Sequence, residues 1–142
     1  MEQENRKEAN RALYDRIKES FDRQTFLQLI GAKLESVEPG KVVISCERRK
    51  DLSQQHGFIH AGVVSSIADV ACGYAAMSMK SEGDVLAVEY KINLIRPAAT
   101  DKVTATATVI KAGRTLTIAE ASVTGTDGKL IAKMQSTVMS GK

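Results

Sequence analysis

The sequence predicts an α+β fold in which a curved antiparallel sheet wraps one long buried helix, with an extra helix at the N-terminus. Three observations carry that expectation. Residues 60–79 are small and apolar on nearly every side, so a helix there needs cover all round. The segment Val103-Thr-Ala-Thr-Ala-Thr-Val109 alternates strictly, which is the period of a half-buried strand. Pro39-Gly40 and Asp127-Gly128 each separate two strand-like runs and read as hairpin turns.

The elements follow in chain order. Residues 3–22 place Leu13, Ile17 and Phe21 at four-residue spacing among many charges, an amphipathic helix with a narrow apolar stripe. A short helix over 25–30 ends at Gly31, a capping glycine. Strands are expected over 32–38 and 41–48, then a polar loop over 50–59, then the buried helix from His60 to Met79. Ser81-Glu-Gly-Asp turns the chain into a strand over 85–95. Arg96-Pro97 ends that strand, because proline lacks a ladder donor and constrains the residue before it. Strands over 103–109, 116–124 and 130–139 complete the set. No repeat, low-complexity tract or linker interrupts the chain, so residues 1–24 read as a helical extension and 25–142 as one domain.

On the long helix, Val63, Ile67, Val70, Tyr74 and Met77 recur at helical spacing and form the expected core stripe. Gly62, Ser65, Ser66, Asp69, Cys72 and Gly73 fall on a smaller, more polar face that should meet another subunit or line a cleft.

Composition narrows the function. Apolar content of 43% and charged content of 26% are those of a globular protein. A net charge of +3 spread along the chain argues against nucleic-acid binding. With no Trp and only 4% aromatics, a ligand site must come mainly from aliphatic and backbone groups. Cys46 and Cys72 lack a CxxC pattern and the charged first residues lack a secretory signal, which together point to a reducing cytoplasm. Asp69, with serines and glycines around it, argues against a membrane-spanning role for residues 61–79. The sequence carries no GxSxG, P-loop or GxGxxG pattern.

Chemistry concentrates on the long helix. Its first amides, those of Ala61 and Gly62, have no partner inside the helix and can bind an anion or polarise a carbonyl, unless water or a loop side chain satisfies them. Asp69 is either paired with a cation, hydrogen-bonded by Ser65 or Ser66, or held partly desolvated as a general base or nucleophile. Eight residues, about 12 Å of helix axis, separate Ala61 from Asp69. One carbonyl cannot reach both on the same helix. If both act on one substrate, Asp69 comes from a second subunit, and the site exists only in a dimer. His56 and His60 lie four apart but lack a third ligand, so no metal site is expected; His60 is expected to cap or shape the helix start. Cys72, one turn after Asp69, is expected to pack as a small buried thiol rather than act as a nucleophile.

The stretch Gln54-Gln-His-Gly57-Phe-Ile-His60-Ala-Gly62, then Asp69, then Val88-Glu-Tyr-Lys-Ile-Asn-Leu-Ile-Arg-Pro97-Ala, resembles the hotdog-fold acyl-CoA thioesterases of the PaaI type. The similarity runs from about Phe26 to Val138. It implies a hotdog fold and hydrolysis of an acyl-CoA or aryl-CoA thioester to free acid and CoA, with no cofactor. It further implies a homodimer with interfacial sites, often doubled into a homotetramer. By this resemblance Asp69 is the catalytic carboxylate, the Ala61 amide polarises the thioester carbonyl, and Gln54 helps orient substrate or water. Gly57, His60, Gly62, Ser65, Ser66 and Ala87 would surround the substrate. Arg96, Lys111 and Arg114 are the candidate cations for the CoA phosphates. Three positions depart from the family pattern: Ala61 stands for Gly, Gln54 for Asn, and Ala87 for a frequent Ser or Thr. A non-catalytic acyl-CoA-binding module and a His-dependent hotdog dehydratase are the competing readings.

Overall fold

Charged and apolar residues alternate at helical spacing through the N-terminal segment, and it folds as α1 (Glu2–Asp22), followed by the short α2 (Thr25–Ile30). The computed structural model describes residues 1–141. Gly31 closes α2 in the left-handed conformation, φ 75°, which a side chain would disfavour. Strands β1 (Lys33–Glu38) and β2 (Lys41–Glu47) form the first hairpin across Pro39-Gly40. After a single helical turn at Lys50–Leu52 the chain enters α3 (Ala61–Met77), then β3 (Val85–Leu94), β4 (Lys102–Ala112), β5 (Leu116–Thr124) and β6 (Leu130–Ser140).

The six strands make one antiparallel sheet in the order β1-β2-β4-β5-β6-β3, which leaves β1 and β3 as edges. Register shifts interrupt four of the five pairings, and such bulges bend the strands that carry them. Helix α3 packs on five strands, β2 to β6. Small residues permit that close approach: Ala105, Ala107, Ala119, Ala121 and Ala132 on the sheet are fully buried against a helix rich in alanine. This is the expected wrapped-helix architecture, the hotdog fold.

The wrap changes which helix residues are core. Cys72 is fully buried rather than on the small polar face, because strands cover an arc wider than one helical stripe. Val70 is only partly buried and faces a cavity beside Asp69. Val63, Ile67, Tyr74 and Met77 are buried as expected.

Helix α1 joins the same core through Ile17 and Phe21. Arg16 reaches across to the C-terminal end of α3, where Nη2 donates to the carbonyls of Met77 (3.2 Å) and Lys80 (2.7 Å). A cation there complements the helix dipole and satisfies carbonyls that have no partner inside the helix. No helix among the described residues is long and apolar enough to cross a membrane.

Candidate active site

The start of α3 is built by the loop before it. His60 is the N-cap, and its Nδ1 accepts the Gly62 amide at 2.8 Å. The Val63 amide bonds the His60 carbonyl at 3.0 Å. The Ala61 amide alone in this turn has no acceptor among the described residues. The expectation that Ala61 and Gly62 both offer free donors is therefore corrected: the imidazole of His60 takes the second.

Gln54 lies in the same cleft as Ala61, together with Phe58, Val64, Arg96 and Ile131. Its Oε1 accepts the amides of His56 (2.7 Å) and Phe58 (3.2 Å), which folds the loop around the side chain. Its Nε2 has no acceptor among the described residues. Two donors without a protein acceptor, the Ala61 backbone amide and the Gln54 side-chain amide, thus line one partly open cleft. Gly57 shapes the loop rather than the cleft wall: φ is 87°, and its carbonyl accepts from Arg48 Nε at 3.1 Å. Arg96 Nη1 donates to the Leu130 carbonyl at 2.9 Å, which anchors that cation at the cleft.

Asp69 sits elsewhere, in a second cavity near the middle of α3, with Val70, Gly73 and Tyr74 on its own helix and Ala87 across on β3. It is partly buried, and burial raises its pKa above the ordinary carboxylate value. No cation or hydrogen-bond donor pairs with it among the described residues. Neither serine does so: Ser66 Oγ donates to the Gly62 carbonyl at 2.7 Å, and Ser65 makes no hydrogen bond to the carboxylate. Ala87 supplies only a methyl group at this wall. Asp69 is thus a half-buried carboxylate that the fold leaves unpaired, at a cost in folding free energy.

Lys111 and Arg114 lie exposed at the end of β4 and in the turn after it. Lys80, just beyond α3, donates to the carbonyls of Gly113 and Arg114, so these cations sit near the opposite end of α3 from Arg96. Within one subunit the fold gathers Gln54, Ala61 and Arg96, and separately Asp69 and Ala87. It does not bring the two groups together. Cys72 is an unsuitable nucleophile, because complete burial pushes its thiol up to about 12. Among the described residues no cluster of three His, Cys, Asp or Glu side chains could hold a metal.

Two residues of the Asp69 cavity were not legible in the sequence. Ser20 and Gln24, from the α1–α2 junction, form part of its wall. They precede every motif residue, and only the packing of α1 on the core carries them there.

The fold thus presents a helix start with one free amide and, apart from it, a half-buried unpaired carboxylate. Residues 56–132 match the family model described as Thioesterase superfamily, and the chain belongs to that superfamily. The chain is accordingly a thioester hydrolase. It is 30% identical over 112 residues to a 1,4-dihydroxy-2-naphthoyl-CoA hydrolase of Listeria monocytogenes, covering 78% of this chain and 91% of that one. A solved thioesterase family protein of Silicibacter pomeroyi shares 42% identity at a TM-score of 0.85, covering 89% of this chain and 96% of that one. The PaaI protein of E. coli, 19% identical, superimposes at a TM-score of 0.87 over 94% of this chain and 96% of its own, which supports the fold.

Proposed function

We propose that the protein hydrolyses acyl-CoA thioesters to free acid and CoA at a site shared by two subunits. In this reading Ala61 and Gln54 of one subunit hold the thioester carbonyl, and Asp69 of the other supplies the carboxylate. The observation that carries it is the separation just described: unsatisfied donors in one cleft, an unpaired carboxylate in another, about 12 Å apart along one helix. A second copy running alongside in the opposite sense closes that gap.

The sheet edge supports such a partner. Strand β3 is a ten-residue edge that leaves Val88 (57%), Tyr90 (46%) and Leu94 (55%) exposed. A long, apolar, unprotected edge is a template for pairing unless another chain covers it. The CoA hydrolase among the relatives supports CoA as the carrier. Arg96, with Lys111 and Arg114 from the partner's side of the interface, then serves the phosphates. The domain of 25–142 carries this chemistry, and the extension of 1–24 packs on it.

Chemically, the Ala61 and Gln54 donors stabilise the oxyanion that forms when the carbonyl carbon becomes tetrahedral. Asp69 either takes the proton from the attacking water or attacks the carbon itself and is then freed by water. In the first route the proton passes to sulfur as the C–S bond breaks; in the second CoA leaves as the thiolate, a mixed anhydride forms at Asp69, and its hydrolysis by water releases the acid and a proton. A carboxylate whose pKa is raised by burial is a stronger base than an ordinary one.

The test is release of free thiol from a panel of acyl-CoAs by wild type, Asp69→Ala and Asp69→Asn. The expected loss in both variants is about 100-fold or more. Undiminished hydrolysis in either variant removes Asp69 from the mechanism. Acyl-CoA binding by wild type without any thiol release instead supports the non-catalytic module.

A further inference from the structure

One end of the Asp69 cavity carries, beside Met77 and Asp84, a polar cluster that the hydrolytic chemistry does not use. Tyr74, 5% exposed, sits at that end of the cavity. Its hydroxyl accepts from Gln24 Nε2 at 2.6 Å and lies 3.0 Å from Ser20 Oγ. A phenol has one proton, and with Gln24 donating to its oxygen that proton is left for Ser20. Ser20 then keeps a free hydroxyl proton and Gln24 a free amide oxygen, neither of which has another partner among the described residues. The wall therefore offers one donor and one acceptor.

Its distance from the acid sets a length. Tyr74 lies five residues beyond Asp69, about 7.5 Å along the α3 axis and roughly the reach of a six-carbon chain. An acyl group whose carbonyl carbon is held at Asp69 and which runs toward this end meets Ser20 and Gln24 with its far end. Those two residues lie outside the 56–132 segment that carries the superfamily match.

We propose that Ser20, Gln24 and Tyr74 form a specificity-determining polar wall of the acyl site, selecting compact acyl groups that end in a hydrogen-bonding group over long alkyl chains. This rests on the thioesterase reading above and assigns its acyl side to the Asp69 cavity. An apolar chain end would leave the wall's donor and acceptor buried and unpaired, whereas a hydroxyl engages both. A longer chain runs on past Tyr74 toward Met77 and the Asp84 carboxylate, which also line the cavity and are a poor setting for an alkyl end.

The experiment compares kcat/KM for 6-hydroxyhexanoyl-CoA, hexanoyl-CoA and dodecanoyl-CoA in wild type, Gln24→Leu and Tyr74→Phe. Wild type should favour the hydroxylated ester over hexanoyl-CoA by about tenfold, the worth of one such hydrogen bond. Gln24→Leu should bring that ratio close to one, mainly through KM, and Tyr74→Phe should lower it. Each ratio is taken within one preparation, so partial misfolding cancels. Wild type should also cleave dodecanoyl-CoA more slowly than hexanoyl-CoA. A wild-type ratio of one or less, a ratio unchanged in Gln24→Leu, or faster cleavage of dodecanoyl-CoA overturns the wall while leaving an Asp69-dependent thioesterase intact. Thiol release that is absent for every ester, or untouched by Asp69→Asn, overturns the thioesterase reading and the wall with it.

Discussion

Replacing Ala61 by proline removes one backbone proton and little else. Ala61 is the first residue of α3, a position where proline is well accommodated because the missing N–H has no intrahelical partner. The residue before it also suits the change. His60 has φ −59° and ψ 138°, within the extended range that a following proline imposes. No hydrogen bond of the fold is lost, since the Ala61 amide has no acceptor among the described residues. The cost in folding free energy is therefore under about 1 kcal/mol, and reduced freedom of the unfolded chain offsets part of it. Catalysis should respond very differently. Deleting one oxyanion donor costs about 100- to 1000-fold in kcat, or about 2.7–4 kcal/mol of transition-state stabilisation. The assay is thiol release from an acyl-CoA beside urea denaturation of the same preparations. Ala61→Gly, which keeps the amide, is the control and should retain activity. An Ala61→Pro variant with an unchanged urea midpoint and hydrolysis within about threefold of wild type refutes the assignment of this amide.

Four further outcomes are expected. Burial holds the Asp69 pKa above its unfolded value, so the native state binds more protons across that window and stability falls as pH rises through it; Asp69→Asn should thus gain stability relative to wild type from pH 4 upward, a gap that urea midpoints at several pH values will show or fail to show. Hydrolysis should have its acid limb above the ordinary carboxylate range, and a limb at or below that range contradicts the burial argument. Arg16→Ala should lower stability by about 2 kcal/mol, because the Met77 and Lys80 carbonyls lose a charged donor; a change within experimental scatter would mean that water replaces it at no cost. Cys72, fully buried with its thiol pushed up to about 12, should resist iodoacetamide at pH 8 until the protein is unfolded, and rapid native labelling identified by peptide mass would show that the sheet does not cover it.

Local pattern made most of the fold legible. The helix at 60–79, the alternation at 103–109 and the two hairpin turns each depend on residues close in sequence, and the strands at 85–95 and 116–124 appear within a residue of their expected bounds. β4 runs longer than its alternating core, Lys102–Ala112, because pairing with β2 and β5 on either side carries it beyond the periodic residues. What pattern missed is tertiary. Cys72 packs as the small buried thiol expected, yet among the core strands rather than on the polar face, because strands wrap more than one face of α3, a fact absent from helical spacing. Gly62 lost its free amide to the ring of His60, two residues away, since a cap depends on side-chain rotamer as well as residue type. Asp69 was legible as an anomaly, while its lack of any partner required the positions of every neighbouring side chain. Ser20 and Gln24 were invisible for the same reason: only the docking of α1 against Tyr74 brings them to the cavity.

The shared site has one direct test. Asp69→Asn and Ala61→Pro subunits, each carrying a different affinity tag, are refolded together and the doubly tagged species is isolated. If Asp69 of one subunit works with Ala61 of the other, each hybrid dimer has one wholly intact site and one doubly damaged site, so it should recover about half of wild-type activity although both parents are nearly inactive. A purified hybrid no more active than its parents contradicts a site completed across the interface.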